Sequence, residues 1–180
     1  MQTSLGAWVK FAVVFCACLL IRFVPFRPPN IEPILALQMP FAKAYGAWFG
    51  FIFGFSSIIV FDLITGSVGV WTIAAASMYG LLGIWSSSYL QNRANTQTTY
   101  IRFAIISTIV YDIATGCTLG PIFFNQPFMA AVVGQIPFTA LHLLGNIGFA
   151  FLFSPALYRV LTTSKQYKAV AVSFLNSKHI

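Results

Sequence analysis

Long apolar runs, broken at short polar or proline-rich intervals, dominate the chain. Residues 5–24 (LGAWVKFAVVFCACLLIRFV), 45–64, 71–90 and 100–116 each approach the roughly 20 residues that a helix needs to cross a bilayer. A cleaved signal is disfavoured for the first run, because no A-x-A-like site follows and Arg22 interrupts it. Residues 25–33 (PFRPPNIEP) hold four prolines, Pro25, Pro28, Pro29 and Pro33, a density that excludes a regular helix. The apolar piece after them, from Ile34 to about Phe41, carries Pro40 and is too short to span. It predicts a short, kinked or re-entrant second segment, tolerated at membrane depth only under protein or water cover. Tight turns are expected at 67–70, a polar loop at 91–99 and a loop rich in turn formers at 117–127. The last apolar region, 128–161, is longer than a core of about 30 Å requires. Its start reads as interfacial, with the spanning helix beginning near Gln135 and Pro137. The runs do not alternate as barrel strands do. The expected fold is all-α: one polytopic membrane bundle of about six transmembrane helices over residues 1–180, ending in a basic tail at 162–180.

One stretch occurs twice. Residues 57–66 read SIIVFDLITG and residues 107–116 read STIVYDIATG. Both put a carboxylate, Asp62 or Asp112, near the end of an apolar run that leaves through Thr-Gly. An offset that includes two crossings makes the copies parallel, with repeat units at about 45–90 and 100–161. A second regularity is the spacing of Ala42, Gly46, Gly50 and Gly54, a small-residue seam that permits close helix contact. Packing inside the bundle explains this seam most simply; a docking face for another membrane subunit is the sharper reading.

Composition reinforces the membrane assignment. The 180 residues are 58% hydrophobic and only 7% charged, against about 25% charged in ordinary globular proteins. Mean hydropathy is +0.83. The net charge of +7 does not indicate nucleic acid, since the basic residues are scattered between apolar runs. With six spans, Lys10, Lys43, Arg93, Arg102, Arg159, Lys165, Lys168 and Lys178 share one side, cytoplasmic by the positive-inside rule, together with both termini. Arg22 and Arg27 fall at the outer end, as do all three acidic residues, Glu32, Asp62 and Asp112. Arg–Asp bridges closing the helix ends are one explanation, and a polar site below the outer surface is the other.

Phe61, Trp71, Tyr111, Phe123, Phe124, Asn125 and Gln126 belong to the same end, and rings with a few directional polar groups suit a flat organic ligand. An interfacial aromatic belt would account for some of them. Gln135, Thr139, His142 and Asn146 form one polar stripe on the last helix, either holding helices together or supporting the site. The chain has no phosphate-cradling glycine loop, no metal-ligand spacing and no nucleophile elbow, which argues against an ATPase, a metal site or a hydrolase. No cofactor is implied. An intramembrane aspartyl protease is the enzymatic alternative, since two close carboxylates can share a proton. Its expected G-x-G-D is absent at Asp62. A structural membrane scaffold is a third possibility.

PPNIEP followed by ILAL, the glycine-rich third helix, DLITG…GVWT, and NQPFMAAVVGQIPFTALHLLGN together resemble the substrate-binding membrane subunits, or S components, of energy-coupling factor vitamin transporters. The likeness runs from about Arg22 to Leu161. It implies a non-enzymatic six-helix bundle in the cell membrane that captures a vitamin-like micronutrient from outside. Such a bundle docks on a membrane coupling protein driven by two cytoplasmic ATPases. It also implies a ligand surrounded by the loop from Pro29 to Glu32, with Asn30 and Glu32, by the turn from Asp62 to Trp71, and by the segment from Asp112 to Asn125. Family members often dock through alanines four apart in the first helix. Here Ala12 and Cys16 are the nearest equivalent, with the seam from Ala42 to Gly54 as a substitute.

Overall fold

The computed structural model describes residues 5–28 and 30–177, with side chains through residue 163. Pro29, Lys178 and the side chains of Lys165 and Lys168, which the sequence placed in the ligand loop and the basic tail, lie outside the described residues. Six α-helices and no strand occur among the described residues: α1 (Leu5–Arg22), α2 (Ile34–Tyr45), α3 (Ala47–Thr65), α4 (Val70–Leu90), α5 (Gln97–Phe124) and α6 (Phe128–Ser177). Four of them, α1, α3, α5 and the 128–163 part of α6, are long and apolar enough to cross a membrane. At 21 residues α4 has the length too, but Ser86, Ser87 and Ser88 dilute it.

The bundle is built around α2. At 12 residues it is roughly 18 Å long, well short of a bilayer core. It touches each of the other five helices. Every residue from Ile34 to Ala42 is buried, as expected of a helix that is apolar all round. Its two irregularities are compensated, the first fully and the second at one of two amide atoms, since Gln38 Oε1 has no protein donor. Pro40 has no N–H for the Ala36 carbonyl, and Ser154 of α6 supplies the missing donor, its hydroxyl giving to Ala36 O at 2.7 Å. Gln38, fully buried, donates from Nε2 to Tyr79 O at 2.8 Å.

The seam from Ala42 to Gly54 is spent on this packing. A Cβ at Gly50 would sit 2.6 Å from Gly83 O and 2.7 Å from the Ala42 Cβ; at Gly54 it would overlap the Gln38 amide. Ala42, Gly50 and Gly54 are buried, and Gly46, at φ +99°, makes the joint between α2 and α3. At Ala42, Gly50 and Gly54 the seam is taken up inside the bundle by α2 and α4, whereas Gly46 is half-buried with open space beside it. Ala12 and Cys16 on α1 stay exposed.

Two boundaries differ from expectation. α5 does not end at Gly116 but runs on to Phe124, so the expected loop at 117–127 is mostly helix; Asn125, at φ +51°, is the cap. Gly66 does end α3, at φ +69°. α6 is continuous from Phe128, with Pro137 inside it and not at its start.

Charged groups collect at opposite ends of the bundle. At one end Lys10 donates to Val160 O at 2.9 Å, Tyr45 to Leu161 O at 3.0 Å and Lys43 to Arg93 O at 2.7 Å. Arg22 and Glu32 meet at the other.

Candidate functional site

At the Arg22 end, five side chains from α1, the 23–33 loop, α4, α6 and α5 form a buried chain of contacts. Arg22 Nε lies 3.1 Å from Glu32 Oε2, and its Nη1 donates to Ser57 O at 2.5 Å. The Phe61 ring covers the guanidinium at 3.9 Å. Tyr79 donates its hydroxyl to Glu32 Oε1 at 2.9 Å. The Tyr79 hydroxyl oxygen is also 3.2 Å from His142 Nε2, and His142 Nδ1 is 2.8 Å from Asp112 Oδ1. One turn away, Asn146 Nδ2 donates to Thr108 Oγ1 at 2.8 Å. The polar stripe of α6 thus faces α5, where Thr108 and Asp112 are also one turn apart. Buried charges persist in apolar surroundings only when paired and hydrogen-bonded, and Arg22, Asp112 and His142 are all less than one-tenth exposed. Two acceptors in this layer, Asp112 Oδ2 and Asn146 Oδ1, have no protein donor.

A cavity of about 420 Å³ lies beside this chain, lined by Trp71, Tyr111, Thr115, Gly116, Gln126, Ala131, Gly134, Gln135 and Phe138. Tyr111 joins the two features. Its ring packs on Tyr79 at 4.8 Å and edge-on against His142 at 5.5 Å, while another face borders the cavity. Phe138 meets the same imidazole at 6.0 Å. On the far side Trp71 stacks on Phe124, centroids 5.6 Å apart and planes 5° from parallel. Two glutamines supply directional polarity. Gln135 lies against Gly116 and Gln126 against Gly120, each so close that a Cβ on the glycine would overlap the amide. Glycine at these positions of α5 makes the seat for the amides.

The candidate residues divide accordingly. Trp71, Tyr111, Gln126 and Gln135 line the cavity, and Glu32, Asp112 and His142 form the buried chain behind it. Asp62 is apart from both. It stands half-buried at the end of α3, where Thr72, which also caps the Gly69 N–H, donates to its Oδ2 at 2.6 Å. Asn125 is exposed as the α5 cap, and Asn30, at φ +64°, shapes the loop before α2. No Arg–Asp bridge closes the helix ends among the described residues: Arg22 takes Glu32, and Arg27 donates to Ile31 O at 2.5 Å. The carboxylate nearer in sequence won because the 23–33 loop folds back over α1. The two aspartates take different partners, Asp62 the Thr72 hydroxyl and Asp112 the His142 ring, and no hydrogen bond joins them among the described residues.

Sequence reasoning missed Tyr79 and Phe138; Thr115 and Gly116 fall within the expected ligand segment from Asp112 to Asn125. Tyr79 was detectable as the one large hydroxyl-bearing side chain among the small residues Ala76, Gly80 and Gly83 of α4. Among the described residues no group of three or more His, Cys, Asp or Glu could hold a metal ion. No family model, curated protein or solved structure matches the chain.

Proposed function

We propose that this chain is a substrate-capturing membrane subunit of an importer of the energy-coupling factor type. It takes a flat, weakly charged micronutrient into the cavity at the Trp71–Tyr111 end. The observation that carries the reading is the cavity itself: about 420 Å³, walled by rings and addressed by two seated amides. Small-molecule sites have this size and this ratio of apolar wall to directional polar groups. The family resemblance supplies the class of partner. In this reading the end carrying Lys10, Lys43 and Arg93 is cytoplasmic by the positive-inside rule, as are both termini, and the cavity opens outward. The bundle then crosses six times, α2 serving as the buried short segment. The coupling protein, itself driven by two ATPases, docks on the exposed α1 face with Ala12 and Cys16. Cargo is bound and released unchanged, since the carboxylates are committed to separate partners.

Trp71 reports on the claim directly. A variant retaining only that tryptophan (Trp8, Trp48 and Trp85 each changed to Phe) is titrated in lipid nanodiscs with a panel of vitamins and their precursors. At least one compound is expected to quench or shift the emission saturably, and Gln135→Ala to weaken that binding tenfold or more, about 1.4 kcal/mol. Emission indifferent to the whole panel, with transport intact in cells, would dispose of the site.

A further inference from the structure

Four ionisable side chains are joined by three contacts. Glu32 Oε1 lies 2.9 Å from the Tyr79 hydroxyl, that oxygen 3.2 Å from His142 Nε2, and His142 Nδ1 2.8 Å from Asp112 Oδ1. At such distances each contact needs one hydrogen between its heavy atoms, because two lone pairs facing each other repel. With both carboxylates ionised and the imidazole neutral, the four groups carry only two hydrogens: the tyrosine O–H and one ring N–H. One contact would then be bare, between side chains that are buried or nearly so.

We infer that this relay binds a third proton, so that Arg22, Glu32, Tyr79, His142 and Asp112 together carry no net charge. In the simplest arrangement Tyr79 gives its hydrogen to Glu32 and both ring nitrogens of His142 donate, one to the Tyr79 oxygen and one to Asp112. Arg22 and the imidazolium then balance two carboxylates, the condition under which buried charges are tolerated. Moving hydrogens along the chain gives other arrangements, such as a protonated Glu32 with Tyr79 donating to Nε2, and the count of three is unchanged. Among the described residues no side chain other than Arg22 is paired with any of the four. From α1 come Arg22, already on Glu32 and Ser57 O, and the Cys18 thiol; α3 presents the Phe61 ring; α5 adds the ring and the hydroxyl of Tyr111, the hydroxyl hydrogen-bonded to none of the four, and α6 the Phe138 ring; Arg27 is spent on Ile31 O. The proton acts as a structural ligand. It ties the 23–33 loop and α4 to α5 and α6, and through Tyr111 it sets the wall of the cavity. The inference stands on the contacts alone and holds whatever the cavity binds.

The test uses the full-length chain in nanodiscs with ring-15N histidine. His179→Asn leaves His142 as the only reporter. At neutral pH we expect either hydrogens on both ring nitrogens by NMR or a protonated-carboxyl infrared band that Glu32→Gln or Asp112→Asn abolishes; each contains the third proton. A neutral imidazole with one N–H and no such band overturns the inference. Asp112→Asn provides the control, because an amide can donate to Nδ1 while Nε2–H serves Tyr79, satisfying all three contacts with one proton fewer. That variant should fold with a single ring N–H on His142 and no protonated-carboxyl band. A doubly protonated His142 in folded Asp112→Asn protein would also contradict the count.

Discussion

Residues 57–66 and 107–116 are identical at six of ten positions and end in opposite circumstances. Both are helical and both return their threonine hydroxyl to the backbone one turn back, Thr65 to Phe61 O at 2.9 Å and Thr115 to Tyr111 O at 2.8 Å. There the likeness stops. Gly66 takes a left-handed conformation and ends α3, leaving Asp62 half-buried against Thr72. Gly116 stays helical because its missing side chain is where Gln135 rests, and α5 continues to Phe124. Asp112 is consequently enclosed and meets His142. Local sequence sets the helix and its back-bonded threonine. The neighbour across the gap decides whether a glycine is an exit or a seat, and whether a carboxylate takes a hydroxyl at a helix end or anchors a core.

Substitutions at paired positions test this contrast. The largest divergence is expected for the aspartates. Asp112→Ala leaves His142 without its partner in a buried layer and should cost about 3–5 kcal/mol in unfolding experiments in lipid or detergent. Asp62→Ala gives up one hydrogen bond at a wetter helix end, about 1 kcal/mol. Equal costs would mean that burial does not separate the two. Next come the glycines. Gly66→Ala meets no neighbour but must adopt φ +69°, so stability should fall by about 1 kcal/mol with ligand binding untouched. Gly116→Ala should do the reverse: the Gln135 amide is driven off its seat, binding weakens about tenfold, and the melting temperature moves less. The smallest effects belong to the threonines. Thr65→Val and Thr115→Val should each change stability by no more than about 0.5 kcal/mol, since the accepting carbonyls keep their helical bonds. Only Thr115→Val, at the cavity wall, should alter which ligands are preferred.

Much of the architecture could be read from hydrophobic runs: the all-helical composition, the turn before Val70, the shortness of the helix after Glu32. The reason α2 became the hub could not. An apolar residue facing lipid and one facing protein look alike in sequence, because hydrocarbon and helix surface are similar solvents for it. Ile34, Leu35 and Met39 therefore resembled Leu5, Val13 and Leu20, although the first three are wholly buried and the others exposed. The same blindness left the seam from Ala42 to Gly54 open to two interpretations, and Gly83 across the gap decides between them. Within the site, carboxylates and the α6 stripe were conspicuous because polar groups are rare in such a chain. Tyr79 was hidden among aromatics, and the Arg22–Glu32 pairing depended on how a proline-rich loop folds back. Gly116 looked like a helix exit because Gly66, in the same motif, is one.

The central claim is that the space between Trp71, Tyr111 and Gln135 receives a small organic molecule. Native mass spectrometry of the protein purified gently from its membranes, wild type beside Gly116→Ala, addresses it most directly. The account predicts a non-lipid adduct on the wild type, absent or strongly depleted on the folded variant. The same adduct carried equally by both would place the cargo elsewhere and contradict the account.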